Sequence, residues 1–465
     1  MTHPRPWAGE FVVFVSVAAL ALAVAFAFVL PRHWSRGFLG PDEAWHADLA
    51  RHVLAGDGYV SSTLFPMAVP STENFPVVEP LKQSGLSLAT AAAWWVFGES
   101  ERAVIVIMMI TFAIGVGLTR NRRIALLVTG LVLANPSVLG MMLTALPTSM
   151  VFTTFVLLLL LVIEPTRQRV MLGGVVYVAL LLAKGYGILY SLPVIGYLAA
   201  TSRTLSMPLL FGGSVVLSVV TALLVLPSGA VQLVHSGGNY SLALLHGWWY
   251  SADVYAFADL FPPDPWTVIA EHPREFAVHY ARLARRTKRI IDGLGGPTLG
   301  SSLFPLLWVA MLVLPVDRFR PGVLLPAMPR TAPPLVRDLN ILVLLSSSIF
   351  LTIIFFWGIG PNIVHWIHLY PIMLLLCIGL IWRVLTLTQL IPRRGRDLLL
   401  GAALVYLFVY PLALTFREVY KDPFAYLGRR LAVRSLDYGE LSETLANWVP
   451  GRDAVIVSDM ANEIA

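Results

Sequence analysis

The sequence predicts an all-α polytopic membrane protein, and three observations carry that prediction. Apolar segments recur from residue 10 to residue 416, the longest of them near the roughly 20 residues that cross a bilayer core. Hydrophobic residues make up 57% of the 465-residue chain against 13% charged, and mean hydropathy is +0.74, values that belong to a chain dissolved mostly in lipid. The basic residues stand in short clusters between the apolar segments, so the net charge of +6 reports topology and not affinity for nucleic acid.

The first apolar run, 11–30, exceeds the roughly 7–15 residues of a signal-peptide core and has no small-residue cleavage site after it. It is a retained span that leaves the cytoplasm. The next apolar stretch, "SGLSLATAAAWWVFG" at 84–98, is short and starts polar. If it crosses, the clusters Arg120, Arg122, Arg123 and Arg167, Arg169 fall outside; if it lies at the outer interface, they fall inside. The positive-inside rule selects the second choice.

The remaining spans are then 103–118, 124–134, 150–163, 170–183, 187–200, 207–226, 301–316, 339–357, 364–382 and 398–416. That makes about eleven. The inner loops carry Arg203, then Arg318, Arg320, Arg330 and Arg337, then Arg383, Arg393, Arg394 and Arg396, while the short outer loops near Asn135 and Pro361 carry no Lys or Arg.

The chain divides into a membrane module at 1–226 with a first outer loop at 31–102, a second outer loop at 227–300, further spans at 301–416 and a non-cytoplasmic tail at 417–465. Long structured loops of this kind usually carry function. The tail reads as a helix, a turn and a short strand "AVIVSD", a short α/β piece that stops before it could build a core. The sequence expects either a reduced form or a longer parent protein.

In the first loop, "GPDEAWHADLARHVLAGDGY" (40–59) opens a helix with Pro41 in its first turn and Asp42 and Glu43 at the positive end of its dipole. Trp45, Leu49 and Val53 recur at i, i+4 and i+8 with Ala50 and Leu54 beside them; His46, Asp48 and Arg51 face elsewhere; Gly56 and Gly58 end the helix. The pattern predicts an interfacial helix, with aliphatic and aromatic side chains dipping into lipid and polar ones staying wet. Asp42 and Glu43 are either plain first-turn charges or a base placed at the depth of a lipid-borne substrate.

The same stretch resembles the first-loop signature of the GT-C superfamily of polyprenyl-phosphate-sugar glycosyltransferases, which includes protein O-mannosyltransferases and lipid A aminoarabinose transferases. "VVEPLKQSGLSLATAAAWWVFGES" is similar to that family's Lys-Pro-Pro-Leu segment and its following Phe-Gly-x-Ser on a second juxtamembrane helix. "LLAKGYGILYSLP" resembles a basic, glycine-containing junction between spans, and "HWIHLYPIMLLL" resembles a late span. Lys-Pro-Pro-Leu becomes Glu79-Pro80-Leu81-Lys82 here, His365 or His368 stands where an Arg is common, and "LPTSM" has Thr148 and Ser149 where many relatives have an acid.

The resemblance implies a GT-C-like arrangement with juxtamembrane helices in the first loop, in a bacterial inner membrane, with the active site on the non-cytoplasmic face. It implies transfer of a sugar, with inversion, from a polyprenyl-phosphate carrier to an acceptor that is a protein, lipid or glycan. Asp42 would be the catalytic base or acceptor-positioning carboxylate, with Glu43 beside it and His46 and Glu79 near the substrate. Lys82, Lys184, Arg282, Arg285, Arg286, Arg289, His365 and His368 are the phosphate- or substrate-binding candidates.

Each of these has a plainer reading. Lys184, a cation between two spans, either grips a lipid phosphate or snorkels to the interface. In "EHPREFAVHYARLARRTKRII", Phe276, Tyr280, Leu283 and Ile290 form an apolar stripe, and Arg282, Arg285, Arg286 and Arg289 form a basic one. That helix suits an anionic lipid surface as well as a bidentate phosphate contact. His365 and His368, three apart, supply with Asp42 or Glu43 only part of a metal ligand set, so no cofactor is assigned and a divalent metal stays open.

No nucleotide cofactor is implied, since the leaving group is the lipid phosphate itself. The glycines from Gly293 to Gly300 follow no strand, which argues against a phosphate loop. Cys377 is the only cysteine, which excludes a disulfide framework. Two other function classes remain: a catalytically inactive GT-C-like lipid-binding protein, and a lipid or solute transporter. The transporter reading predicts an inverted repeat, and none is evident between the halves.

Overall fold

The computed structural model describes residues 6–33, 41–61, 77–78, 83–118, 147–202, 205–231 and scattered residues between 270 and 402. Among them the fold is helical. In order come α1 (Pro6–His33), α2 (Pro41–Ala55), strands β1 (Val60–Ser61) and β2 (Val77–Val78), α3 (Gly85–Phe97), α4 (Glu101–Gly117), α5 (Thr148–Ile163), α6 (Arg167–Ala183), a 3-10 turn (Gly185–Tyr190), α7 (Ser191–Ser202) and α8 (Ser206–Val225). The two strands pair antiparallel, Val60 opposite Val78 and Ser61 opposite Val77.

The helix limits follow from local chemistry. Gly56 and Gly58 take φ of +86° and +97°, which only glycine adopts without strain, and they close α2 where the sequence expects it to end. Thr166 caps α6 by accepting a hydrogen bond from the Arg169 amide at 3.3 Å. The expected span 187–200 is divided: Gly185–Tyr190 winds as a 3-10 turn, and the α-helix begins at Ser191. Lys184 has extended backbone (φ −160°, ψ 121°) and breaks the run between α6 and that turn.

α4 packs against α1 and α5, α6 against α5 and α8, and α3 against α2. Small residues let these helices approach. A Cβ on Gly115 would lie 2.8 Å from the Phe152 ring, and one on Gly174 would lie 2.7 Å from Ser214. Hydroxyls join the helices: Thr111 and Ser149 share a hydrogen bond at 2.9 Å, Thr153 donates to the Thr111 carbonyl, and Ser214 donates to the Met171 carbonyl at 2.6 Å. The outside is apolar. On α8, Leu209, Val216, Leu217, Leu223 and Leu224 are all exposed, and that helix is long and apolar enough to cross a membrane. Polar joints inside and hydrocarbon outside are what helices packed in lipid require.

The ends of the helices sort into two sets. At one end Gly117 of α4 meets Phe14 of α1, and the Tyr197 hydroxyl of α7 donates to the Ile163 carbonyl at the end of α5. At the other, Gly85 of α3 meets Leu182 and Ala183 at the end of α6, and the Tyr59 amide donates to the Ser228 carbonyl just beyond α8 at 2.8 Å. The chain then bends by 113° between α3 and α4. Leu86 in the first turn of α3 still packs with Val104 and Met108 of α4, so α3 does not run to the far end of the bundle.

At Gly85 all the nearest neighbours are backbone atoms. A Cβ there would sit 2.9 Å from the Leu182 carbonyl oxygen and 3.0 Å from the Ala183 backbone, and neither can swing away. Gly85→Ala is expected to cost about 1–3 kcal/mol as an overpacked contact. Gly213→Ala, whose Cβ meets nothing within 4 Å, should be neutral or gain up to about 1 kcal/mol of helix propensity. Thermal unfolding of the two variants in detergent checks the contrast.

Candidate functional site

α2 is held on two sides. Trp45 and Leu49 pack with Tyr59 and Ala230, with Val53, Leu88 and Leu226 around them. Ala47 and Ala50 pack with Ala91 and Trp94 of α3. The helix therefore lies between α3 and the segment that follows α8, covered by protein on both faces.

That burial corrects the expectation of a helix with its polar residues in water. His46 and Asp48 are 1% and 6% exposed. Their partners come from elsewhere in the chain: His46 Nδ1 shares a hydrogen bond with Ser87 Oγ at 2.8 Å, and Ser61 Oγ donates to Asp48 Oδ2 at 2.9 Å. An unpaired buried polar group is costly, so each bond fixes the register of α2, one against α3 and the other against β1. Sequence analysis names neither serine, and no local pattern marks them.

At the C-terminal end of α2, His52 stands between two carboxylates, with Nδ1 2.8 Å from Asp57 Oδ2 and Nε2 3.7 Å from Asp48 Oδ1. Arg51 donates from Nε to Glu99 at 2.6 Å, and its guanidinium carbon lies 5.8 Å from the centre of the Trp94 ring. The Trp94 indole N–H donates to the Ser100 carbonyl at 2.7 Å. This latch ties α2 to the α3–α4 corner. It is exposed and contributes little energy, about 0–1 kcal/mol for such a pair, but it closes the second end of the helix.

Asp42 and Glu43 occupy the first turn of α2, one turn before the His46–Ser87 bond. The backbone that bears them is therefore positioned by buried contacts on either side. Lys184 is half-buried at the end of α6, one residue beyond the Ala183 backbone that Gly85 touches. Glu79, Lys82, Arg282, Arg285, Arg286, Arg289, His365 and His368 lie outside the described residues, as do the tail strand at 454–459, the span expected at 124–134 and, apart from a few residues between 398 and 402, the spans expected after 301. Among the described residues no three His, Cys, Asp or Glu side chains group as a metal site.

No family model matches the sequence, and no curated protein does. Among solved structures, the chain is similar to ArnT from Cupriavidus metallidurans bound to undecaprenyl phosphate. The identity is 16% and the TM-score 0.44, over 98% of this chain and 84% of that one. At this level the likeness does not assign a family.

Removing either partner takes a buried hydrogen bond from the other, so Ser87→Ala and His46→Ala should each destabilise by about 1–3 kcal/mol. The double substitution should cost clearly less than the sum, because the two act through one interaction. Chemical denaturation of the four proteins in micelles measures it; strict additivity would contradict the bond.

Proposed function

We propose that this chain is an integral membrane glycosyltransferase of the GT-C type. It takes a sugar from a polyprenyl-phosphate carrier in the outer leaflet and transfers it, with inversion, to an acceptor on the non-cytoplasmic side. The observation that best supports the reading is the mounting of α2. A carboxylate pair opens a helix that is clamped by Trp45, Leu49 and the His46–Ser87 bond, at the bundle end where Lys184 interrupts α6. A catalytic base must be held within a fraction of an ångström of its working position, and sites on supported helices achieve that better than loops do. The motif resemblance of the first loop points the same way.

In this mechanism Asp42 accepts or orients the proton of the acceptor hydroxyl, with Glu43 beside it. The acceptor oxygen attacks the anomeric carbon from the face opposite the phosphate. The bond from that carbon to the phosphate oxygen breaks, and the lipid phosphate leaves with the electron pair. Lys82, Lys184 and the arginines Arg282, Arg285, Arg286 and Arg289 are the candidates for neutralising the departing phosphate. Glu79, His365 and His368 are assigned to the substrate cavity, and His46 acts from behind the first turn of α2 to hold it in place.

Purified protein in liposomes, supplied with a panel of polyprenyl-phosphate sugars, tests the proposal. Turnover should fall by on the order of 10²–10⁴ in Asp42→Asn, the usual contribution of a general base, while lipid binding persists. Binding without turnover in wild type and variant alike would favour the inactive lipid-binding reading. Absence of both would favour the transporter.

A further inference from the structure

The α3 helix buries polar as well as apolar side chains and leaves large apolar ones uncovered at its end. Its buried face includes Ser87 and Thr90, while Trp95 and Phe97 are 81% and 86% exposed and Val96 stands between them, also exposed. These three large apolar side chains follow one another at the end of the helix, where Gly98 (φ +85°) turns the chain and α4 departs at 113°. Trp94, their neighbour, points the other way into the packing with Ala47, Ala50 and Ala91.

The surroundings identify what covers this tip. Among the described residues, the exposed surfaces of α1 and α8 are themselves apolar, which suits a hydrocarbon surround. The tip is edged with polar and charged groups: Glu99 and Ser100 are exposed, Arg102 is exposed at the start of α4, and Arg51 sits over Trp94. Tryptophan and phenylalanine beside arginine, at the corner where a helix leaves the bundle, is the composition of a headgroup boundary.

We propose that Trp95, Val96 and Phe97 form a wedge that enters the headgroup–acyl boundary of the phospholipid bilayer. The wedge holds α3 at the membrane surface, and α2 with it, since Ala47 and Ala50 pack on α3 and His46 bonds to Ser87. The depth of the first turn of α2 is thereby set from the far end of a neighbouring helix. The inference is independent of the reaction assigned above and holds for an enzyme, an inactive relative or a transporter.

The test uses the full chain in phosphatidylcholine–phosphatidylglycerol liposomes. In a Cys377→Ser background, the Phe97→Cys variant carries a small fluorophore, and the Asp57→Cys variant is the water-facing control. The Phe97 label should be quenched several-fold more by lipids with a nitroxide near the carbonyl than by lipids with one at the acyl end or by aqueous iodide, whereas the Asp57 label should respond to iodide. Strongest quenching from the acyl end would mean that α3 crosses, iodide quenching would mean a free tip, and protection from all three would mean a protein cover; each overturns the proposal. A second arm replaces Trp95 and Phe97 together by Ser and places the label at Leu54→Cys on α2. Its iodide quenching should rise with the wedge removed while the melting profile in detergent is unchanged, and an unchanged quenching would show that the tip does not set the depth of α2.

Discussion

The position of the candidate carboxylates depends on two buried hydrogen bonds made by a helix that also buries its apolar face. α2 alone is too short to be stable as an isolated helix. It holds its place because Trp45 and Leu49 fill the space beside Tyr59 and Ala230, and because His46 and Asp48 find hydroxyl partners on α3 and β1. Apolar burial supplies the stabilisation and the polar pairs supply the register. A slip of one residue along α2 would break both buried bonds at once, so the helix has one seat and not several.

The same division of labour runs through the helices around it. Gly115, Gly174 and Gly85 bring backbones together, and threonine and serine hydroxyls tie neighbouring helices through carbonyls, as Thr153 and Ser214 do. Outside, leucine and valine remain uncovered. In lipid there is little hydrophobic gain from pairing helices, so close packing and internal hydrogen bonds must do it. The mounting of α2 at one end is built from the same materials as the bundle that carries it.

What could be read in the sequence was what is local. The start of α2 at Pro41, its end at Gly56, and the separation of α3 from α4 at Gly98 all follow from short-range signals, and the structure has them. Positive-inside counting places α3 at the outer interface, and in the structure Leu86 of α3 packs with Val104 and Met108 of α4. What could not be read was nonlocal. His46 pairs with a serine 41 residues away and Asp48 with one 13 residues away, so a helical wheel that assigns them to water lacks the information that matters. The 3-10 turn at 185–190 was missed for a related reason: its apolar residues continue the span pattern, and only Gly185 and Gly187 hint at the change of winding.

The proposed reaction requires α2 at the non-cytoplasmic end of the bundle, with the α5–α6 connection at the opposite end. Labelling with a membrane-impermeant maleimide on spheroplasts, in a Cys377→Ser background, measures this directly at Asp57→Cys, beside α2, and at Arg167→Cys, at the start of α6; both positions are exposed. That orientation gives rapid labelling of the Asp57→Cys variant in intact spheroplasts and labelling of the Arg167→Cys variant only after the membrane is opened. Labelling of both in intact spheroplasts, or the reverse order, would contradict it.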